Sequence, residues 1–257
     1  MSDCHNCDKP QALKILCSNC SLRELCLPVG LNPDEFEQLN TVIRQSRHIK
    51  KGEYLFRVGE AFTSLFAVRT GFFKTNIASL DGRDQVTGFF MSGELIGMDG
   101  LSNNVHSCNA VALEDSEVCE LPFDRLEELY AEIPTLQRHF IRLMSSEIVR
   151  DQNVMLLLGN MKSEERLAAF LMNLSQRLRA RGFASNEFIL RMSREEIGSY
   201  LGLKLETVSR TFSKFQQSGW IDVNHKHVQL TNPMELNKLI AGSNSNAAIP
   251  ISEEEEA

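Results

Sequence analysis

The sequence predicts an α+β chain: an antiparallel β-roll, one long helix, and a C-terminal winged helix-turn-helix. Three observations carry this. Between Ile49 and Leu121 short alternating apolar runs are broken by glycines, of which Gly71, Gly82 and Gly93 fall eleven residues apart. Between Ile141 and Leu158 a mostly apolar row recurs at intervals of three and four residues. Between Ser193 and Trp220 two short helical patterns flank Gly202.

The chain of 257 residues has room for two modest domains and connectors. Its net charge of -7 argues weakly against nucleic acid, but the charge is uneven. Asn160 to Asn232 holds 11 Lys/Arg and 7 Asp/Glu, a surplus of +4, which leaves -11 for the remainder. A local positive face is sufficient for DNA, because phosphate contacts are local and screened by salt. No run of 18 apolar residues and no basic-then-apolar start is present, so a cytoplasmic protein is expected, with no membrane partner. Seven cysteines in such a chain point to metal or redox chemistry rather than disulfides.

Residues 1–30 form a cysteine-rich arm with Cys4, Cys7, Cys17, Cys20 and Cys26. The last three make C-x2-C-x5-C, in which a short loop converges two thiolates on one metal centre and the third returns after a turn or two of helix. Three ligands are one short of a tetrahedral set, and Cys4, Cys7, Cys108 and Cys119 are candidates for the fourth. Spacing leaves zinc and an iron-sulfur cluster both open.

Residues 31–135 are expected to be a β-roll sensor domain. Asn32 caps a short helix with Pro33 at its first position and Asp34 and Glu35 near its positive end. The strand runs are Tyr54 to Phe56, Leu65 to Val68, Phe72 to Ile77, Val86 to Phe90, Val111 to Leu113 and Val118 to Leu121. Such a roll has an interior able to hold a ligand, although most of its Phe and Leu side chains read as core. Pro122 to Ile133 reads as a short helix that Pro134 stops.

Residues 136–160 follow as a dimerisation helix. Ile141, Met144, Ile148, Asp151, Met155 and Leu158 form its seam, and Leu136, Phe140, Leu143 and Val154 lie opposite. Asp151 would face its symmetry mate in a homodimer, at a cost of several kcal/mol unless the charge is offset.

Residues 161–240 are read as the DNA-binding domain. Its first helix runs from Lys162 to Leu178, with Leu167, Phe170, Leu171 and Leu174 inward, and Arg177, Arg179 and Arg181 form a basic edge. Ser193 and Glu196 make a capping box for a helix ending at Leu201. After Gly202, Leu203 to Gln217 is the recognition helix, with Leu205, Val208, Phe212 and Phe215 as its inner positions. Glu206, Thr207, Ser209 and Arg210 lie near the end that enters a major groove. The pattern from Ile221 to Leu230 is a hairpin, the wing. Residues 241–257 end in four glutamates and are expected to be a disordered acidic tail.

The segments LFAVRTGFFKT (65–75), QVTGFF (85–90), GELIG (93–97), VCELPF (118–123), RLMSSEI (142–148), EERLAAFL (164–171) and IGSYLGLKLETVSR (197–210) carry a resemblance. The chain resembles the oxygen-sensing fumarate and nitrate reduction regulators and their anaerobic-regulator relatives, within the cyclic-nucleotide-receptor-type transcription regulators. The resemblance runs from about Cys17 to Ala241 and implies that the roll is cyclic-nucleotide-binding-like. It also implies a [4Fe-4S] cluster on Cys17, Cys20, Cys26 and Cys119 that converts to [2Fe-2S] with oxygen. Further implications are a homodimer when the cluster is present, RNA polymerase as a partner, and activation or repression of anaerobic respiration genes. Sites of the type TTGAT-N4-ATCAA are implied, read by Glu206, Ser209 and Arg210. Lys204 departs from the Thr that relatives often carry at the helix start, and Cys4 and Cys7 depart from the usual cysteine pattern. Receptors of this fold hold a cyclic phosphate with an Arg-Ser pair and a ribose hydroxyl with Glu. Here those positions read Cys108-Asn109 and Met98, so no cyclic nucleotide is expected. A sensor rather than an enzyme is expected, since no Ser/His/Asp or paired-carboxylate set is visible. A zinc-stabilised constitutive winged-helix regulator is the alternative, with an electron-transfer protein behind it.

Overall fold

In a computed structural model, Cys20, Leu22 and residues 25–43, 46–78 and 84–243 are described. Cys4, Cys7, Cys17, the Asp81-Gly82 turn and the acidic tail lie outside them. The chain divides into two units, residues 1–75 with 89–144, and residues 76–88 with 145–257.

The first unit holds the roll. Its strands are β1 (Arg47–Ile49), β2 (Tyr54–Phe56), β3 (Ser64–Thr70), β4 (Phe72–Ala78), β5 (Asp84–Met91), β6 (Leu95–Ile96), β7 (Asn109–Ala112) and β8 (Ser116–Pro122), with β4 and β5 continuing into the second unit. They make two four-stranded sheets, ordered β1-β8-β3-β6 and β2-β7-β4-β5. The sequence showed six of these strands; β1 and β6 are too short for a period to register.

Strand alternation gives this unit two cores. Phe66 and Val68 of β3 and Val118 of β8 join Phe56, Phe73 and Ala110 in a core drawn from both sheets, so the roll interior is packed with side chains. Leu65, Ala67 and Leu121 point the other way, into a core shared with three helices: α1 (Pro33–Val42), α2 (Phe123–Glu132) and the start of α3 (Pro134–Asn160). Asn32 caps α1 as expected, its side chain accepting from Glu35 N–H at 2.9 Å. Pro134 both ends the approach from α2 and opens α3.

The second unit carries α4 (Ser163–Arg179), β9 (Glu187–Ile189), α5 (Arg194–Leu201), α6 (Leu205–Gln217), β10 (Ile221–Asn224), β11 (His227–Leu230) and α7 (Pro233–Ser243). Leu167, Leu171 and Leu174 of α4 are buried, as are Ile197 and Leu201 of α5 and Val208, Phe212 and Phe215 of α6. The wing hairpin gains a third strand, β9, paired antiparallel with β11. Its few residues carried no readable alternation. No helix among the described residues is long and apolar enough to cross a membrane.

Candidate nucleic-acid interface and cysteine-lined cavity

The helix-turn-helix is built by local chemistry. Ser193 Oγ accepts from Glu196 N–H at 3.1 Å, and Glu196 returns a bond to Ser193 N–H at 2.6 Å, starting α5. Gly202 ends it at φ 63°, a conformation side chains disfavour. Gly198 lets the two helices meet: a Cβ there would lie 2.6 Å from the Leu203 carbonyl oxygen. Helix α6 begins at Leu205, two residues later than the pattern suggested, and its N-cap Lys204 makes no side-chain capping bond. Leu205 was expected inside but is exposed, because it stands on the first turn, ahead of the buried row Val208, Phe212 and Phe215.

Glu206 and Arg210 are exposed and one turn apart on α6, with Ser209 half-buried beside them. Among the described residues neither Glu206 nor Arg210 forms an ion pair. Both therefore present donors or acceptors outward from the first turns of the helix. Lys214 is tied to Glu164 of α4 at 2.6 Å, which fixes the far end of α6.

The described cysteines divide between two places. Cys20 and Cys26 of the arm and Cys119 of β8 line one apolar cavity of about 30 Å³, together with Leu27, Leu121 and Arg69. Two features bring them there. Cys119 shares the outward face of β8 with Leu121, opposite to Val118. Leu27, fully buried, anchors the arm in the helix-covered core, and Cys26 closes a turn through its N–H to Leu22 O at 3.0 Å.

Burial and the neighbouring Cys20 sulfur push the Cys119 thiol up to about 11, while Arg69 pulls it down. A metal bound there must displace that proton. Arg69 Nη1 also bonds Glu117 at 2.8 Å, so a cation is held at the rim of a thiol-lined site. Among the described residues no three His, Cys, Asp or Glu side chains close on one point. Soft sulfur donors on an apolar wall suit a thiolate-bound iron-sulfur group in kind. Cys17, the remaining expected ligand, lies outside the described residues.

Cys108, a candidate fourth ligand by sequence, instead faces the roll interior. Its thiol donates to Asp99 at 3.5 Å, and Asp99 also accepts from Ser107 N–H at 2.8 Å and lies 3.2 Å from His106 Nδ1. His106 is only 4% exposed and stacks on Phe56 at 3.6 Å between ring centroids. Asn109 accepts from Val58 N–H at 3.0 Å. This polar cluster was missed, since nothing in the spacing of Asp99, His106 and Cys108 marks them as neighbours.

On α3, Ile141, Ile148 and Met155 are 52%, 58% and 70% exposed, and Asp151 is exposed among them. Met144 and Leu158 are half-buried. Val149 and Leu156 are exposed as well, which makes the apolar stripe wider than the heptad reading gave it.

Known proteins match this architecture part by part. A Crp-like helix-turn-helix domain matches residues 165–239, and a cyclic nucleotide-binding domain matches residues 46–132. The transcriptional activator protein Anr of Pseudomonas protegens is 48% identical over 227 residues, covering 88% of this chain and 93% of that protein. The fumarate and nitrate reduction regulatory protein of Escherichia coli is 44% identical over 234 residues, covering 91% and 93%. The structure of FixK2 from Bradyrhizobium japonicum is similar with a TM-score of 0.71 and 29% identity, covering 77% of this chain and 97% of that one. That of a CooA mutant from Carboxydothermus hydrogenoformans shares the fold, with a TM-score of 0.64 at 16% identity, over 78% and 88%. With the helix-turn-helix and roll in the same order as in these relatives, the chain belongs to the Anr and fumarate and nitrate reduction regulator family, transcriptional regulators rather than enzymes.

Proposed function

We propose that this protein is an oxygen-responsive regulator that holds a [4Fe-4S] cluster on Cys17, Cys20, Cys26 and Cys119. The observation that carries the reading is the cavity lined jointly by Cys20 and Cys26 of the arm and Cys119 of β8. Two distant stretches of chain meet there on one thiol-lined wall. A cluster held there would supply sensitivity to oxygen, being convertible from [4Fe-4S] to [2Fe-2S] with loss of iron and sulfide.

The chain's own residues do the rest. Leu27 and Leu121 give the partly exposed thiols an apolar wall. Cys119 lies midway along β8, the strand that leads through Pro122 into α2 and then α3, so holding the arm to β8 also holds the base of α3. Ile141, Met144, Ile148, Met155 and Leu158 pair with the same stripe of a second copy, and the Asp151 carboxylates oppose one another across it. A dimer presents two recognition helices to a palindrome whose halves are read together. Within each half-site of TTGAT-N4-ATCAA, Arg210 donates in bidentate fashion to a guanine and Glu206 accepts from a cytosine amino group. Ser209 sits against a thymine or adenine edge. RNA polymerase is the further partner. A cyclic nucleotide is not one, because Cys108 and Asn109 already bond within the roll and offer no guanidinium.

The test is operator binding by anaerobically prepared protein before and after air. Tight, palindrome-dependent binding that air abolishes supports the reading, and equal binding in both conditions overturns it. Arg210→Ala should lose discrimination at the guanine.

A further inference from the structure

Arg166, in the first turn of α4, makes three bonds that neither the cavity nor the reading face accounts for. Its Nε donates to Met161 O at 2.8 Å, its Nη2 to Leu158 O at 2.7 Å and its Nη1 to Leu201 O at 3.1 Å. Leu158 lies in the last turn of α3 and Met161 directly follows that helix, and Leu201 is the last residue of α5. Carbonyls at helix ends lack intrahelical amide partners and carry the negative end of the dipole. One planar guanidinium therefore clips two helix C-termini together, and its fork is the shape required to reach carbonyls on both.

The packing around it is close. A Cβ on Gly202 would lie 3.4 Å from Arg166 Nη1 and 3.4 Å from Leu158 Cδ2. From Gly202 the chain turns directly into α6, whose angle to α5 is set by the Gly198–Leu203 approach. Arg166 thus ties the end of α3 to the end of α5, beside the turn that leads into the recognition helix, while Lys214 and Glu164 hold the far end of that helix.

We propose that Arg166 is a positioning residue for DNA binding. It fixes α6 to the end of α3 and thereby sets the separation of the two recognition helices in the dimer. This rests on the dimeric, palindrome-binding reading above. It assigns Arg166 no contact with DNA.

The experiment compares anaerobically prepared parent, Arg166→Met and Arg166→Lys on TTGAT-Nn-ATCAA duplexes with spacers of three, four and five base pairs, at several salt concentrations. Arg166→Met is expected to bind the four-pair site about tenfold more weakly or worse. Its preference for four pairs over three and five should flatten toward one. The slope of affinity against salt should stay that of the parent, since no phosphate contact is lost. Arg166→Lys should fall between, because one ammonium cannot span both helix ends.

A uniform loss on all three spacers with the preference intact would overturn the proposal by reducing Arg166 to general stability. A slope smaller by about one would overturn it by making Arg166 a phosphate contact. Unchanged binding would overturn it outright. A parent that shows no palindrome binding at all would instead overturn the regulator reading on which the proposal rests, and the proposal with it.

Discussion

His139 Nε2, on α3, lies 3.2 Å from the backbone carbonyl oxygen of Cys26 in the arm. Burial holds this imidazole below its ordinary value, the Cys26 bond opposes that, and Arg142 adds to it. The ring therefore donates to the carbonyl, and the segment carrying two expected cluster ligands is pinned to the helix expected to dimerise. His139→Leu removes this bond, although Val29 N–H still donates to the same carbonyl at 3.3 Å, so the cost is that of one hydrogen bond, about 0.5–1.5 kcal/mol. The variant should lose iron faster in air than the parent, while His139→Gln, which retains a donor, should lose it less. Iron retention against time distinguishes them, and a Leu variant as durable as the parent would remove the bond from the account.

Asp151 is exposed on the stripe between Ile148 and Met155. Two such carboxylates facing each other oppose association unless offset, and their removal should shift the balance by a few kcal/mol. Asp151→Ala is expected to sediment as a dimer in air and to bind the palindrome. A variant that stays monomeric in air would show that this charge does not set the equilibrium.

Gly198→Ala places a methyl 2.6 Å from the Leu203 carbonyl oxygen, a backbone atom that can move only with the turn. Overpacking of this kind costs about 1–3 kcal/mol. Thermal unfolding should fall by several degrees and operator affinity should drop with it. An unchanged melt with full binding would mean that α5 and α6 separate without penalty.

Asp99 gives a pH dependence with a fixed sign. Burial raises its pKa, but the hydrogen bonds and charge of His106, with bonds from Ser107 and Cys108, outweigh this and hold it below the ordinary 3.8. A depressed folded value means that the contribution is fully present above 3.8 and is lost as pH falls through the folded value. The roll should lose stability on acidification across that window. Asp99→Asn should be less stable at neutral pH and lose less over the same interval. Parallel curves for parent and variant would contradict the assignment.

Long periodic elements were legible in the sequence, and short ones only where another signal marked them, as the apolar run Tyr54-Leu55-Phe56 marks β2 and the Ser193–Glu196 capping box marks α5. The α3 and α6 patterns run over several turns, so Leu136 and Phe140 fall opposite the seam and Val208 and Phe212 on the inner face, and all four are buried. Strands β1, β6 and β9 are two or three residues each and have no period to read. The face of Cys119 follows from alternation with Leu121 and Val118, whereas that of Cys108, set by its bond to Asp99, does not. Arg166 was equally hidden: its partners are backbone carbonyls, which leave no residue type to recognise.

On the proposed reading, Cys119 and the arm cysteines hold one iron-sulfur cluster, in which Cys108 takes no part. The most direct measurement is iron and acid-labile sulfide per chain in anaerobically purified parent, Cys108→Ser and Cys119→Ser proteins. The account predicts about four of each, the content of a [4Fe-4S] centre, in the parent and in Cys108→Ser, with a large loss in Cys119→Ser. Zinc without sulfide in the parent, or a full complement retained by Cys119→Ser, would contradict it.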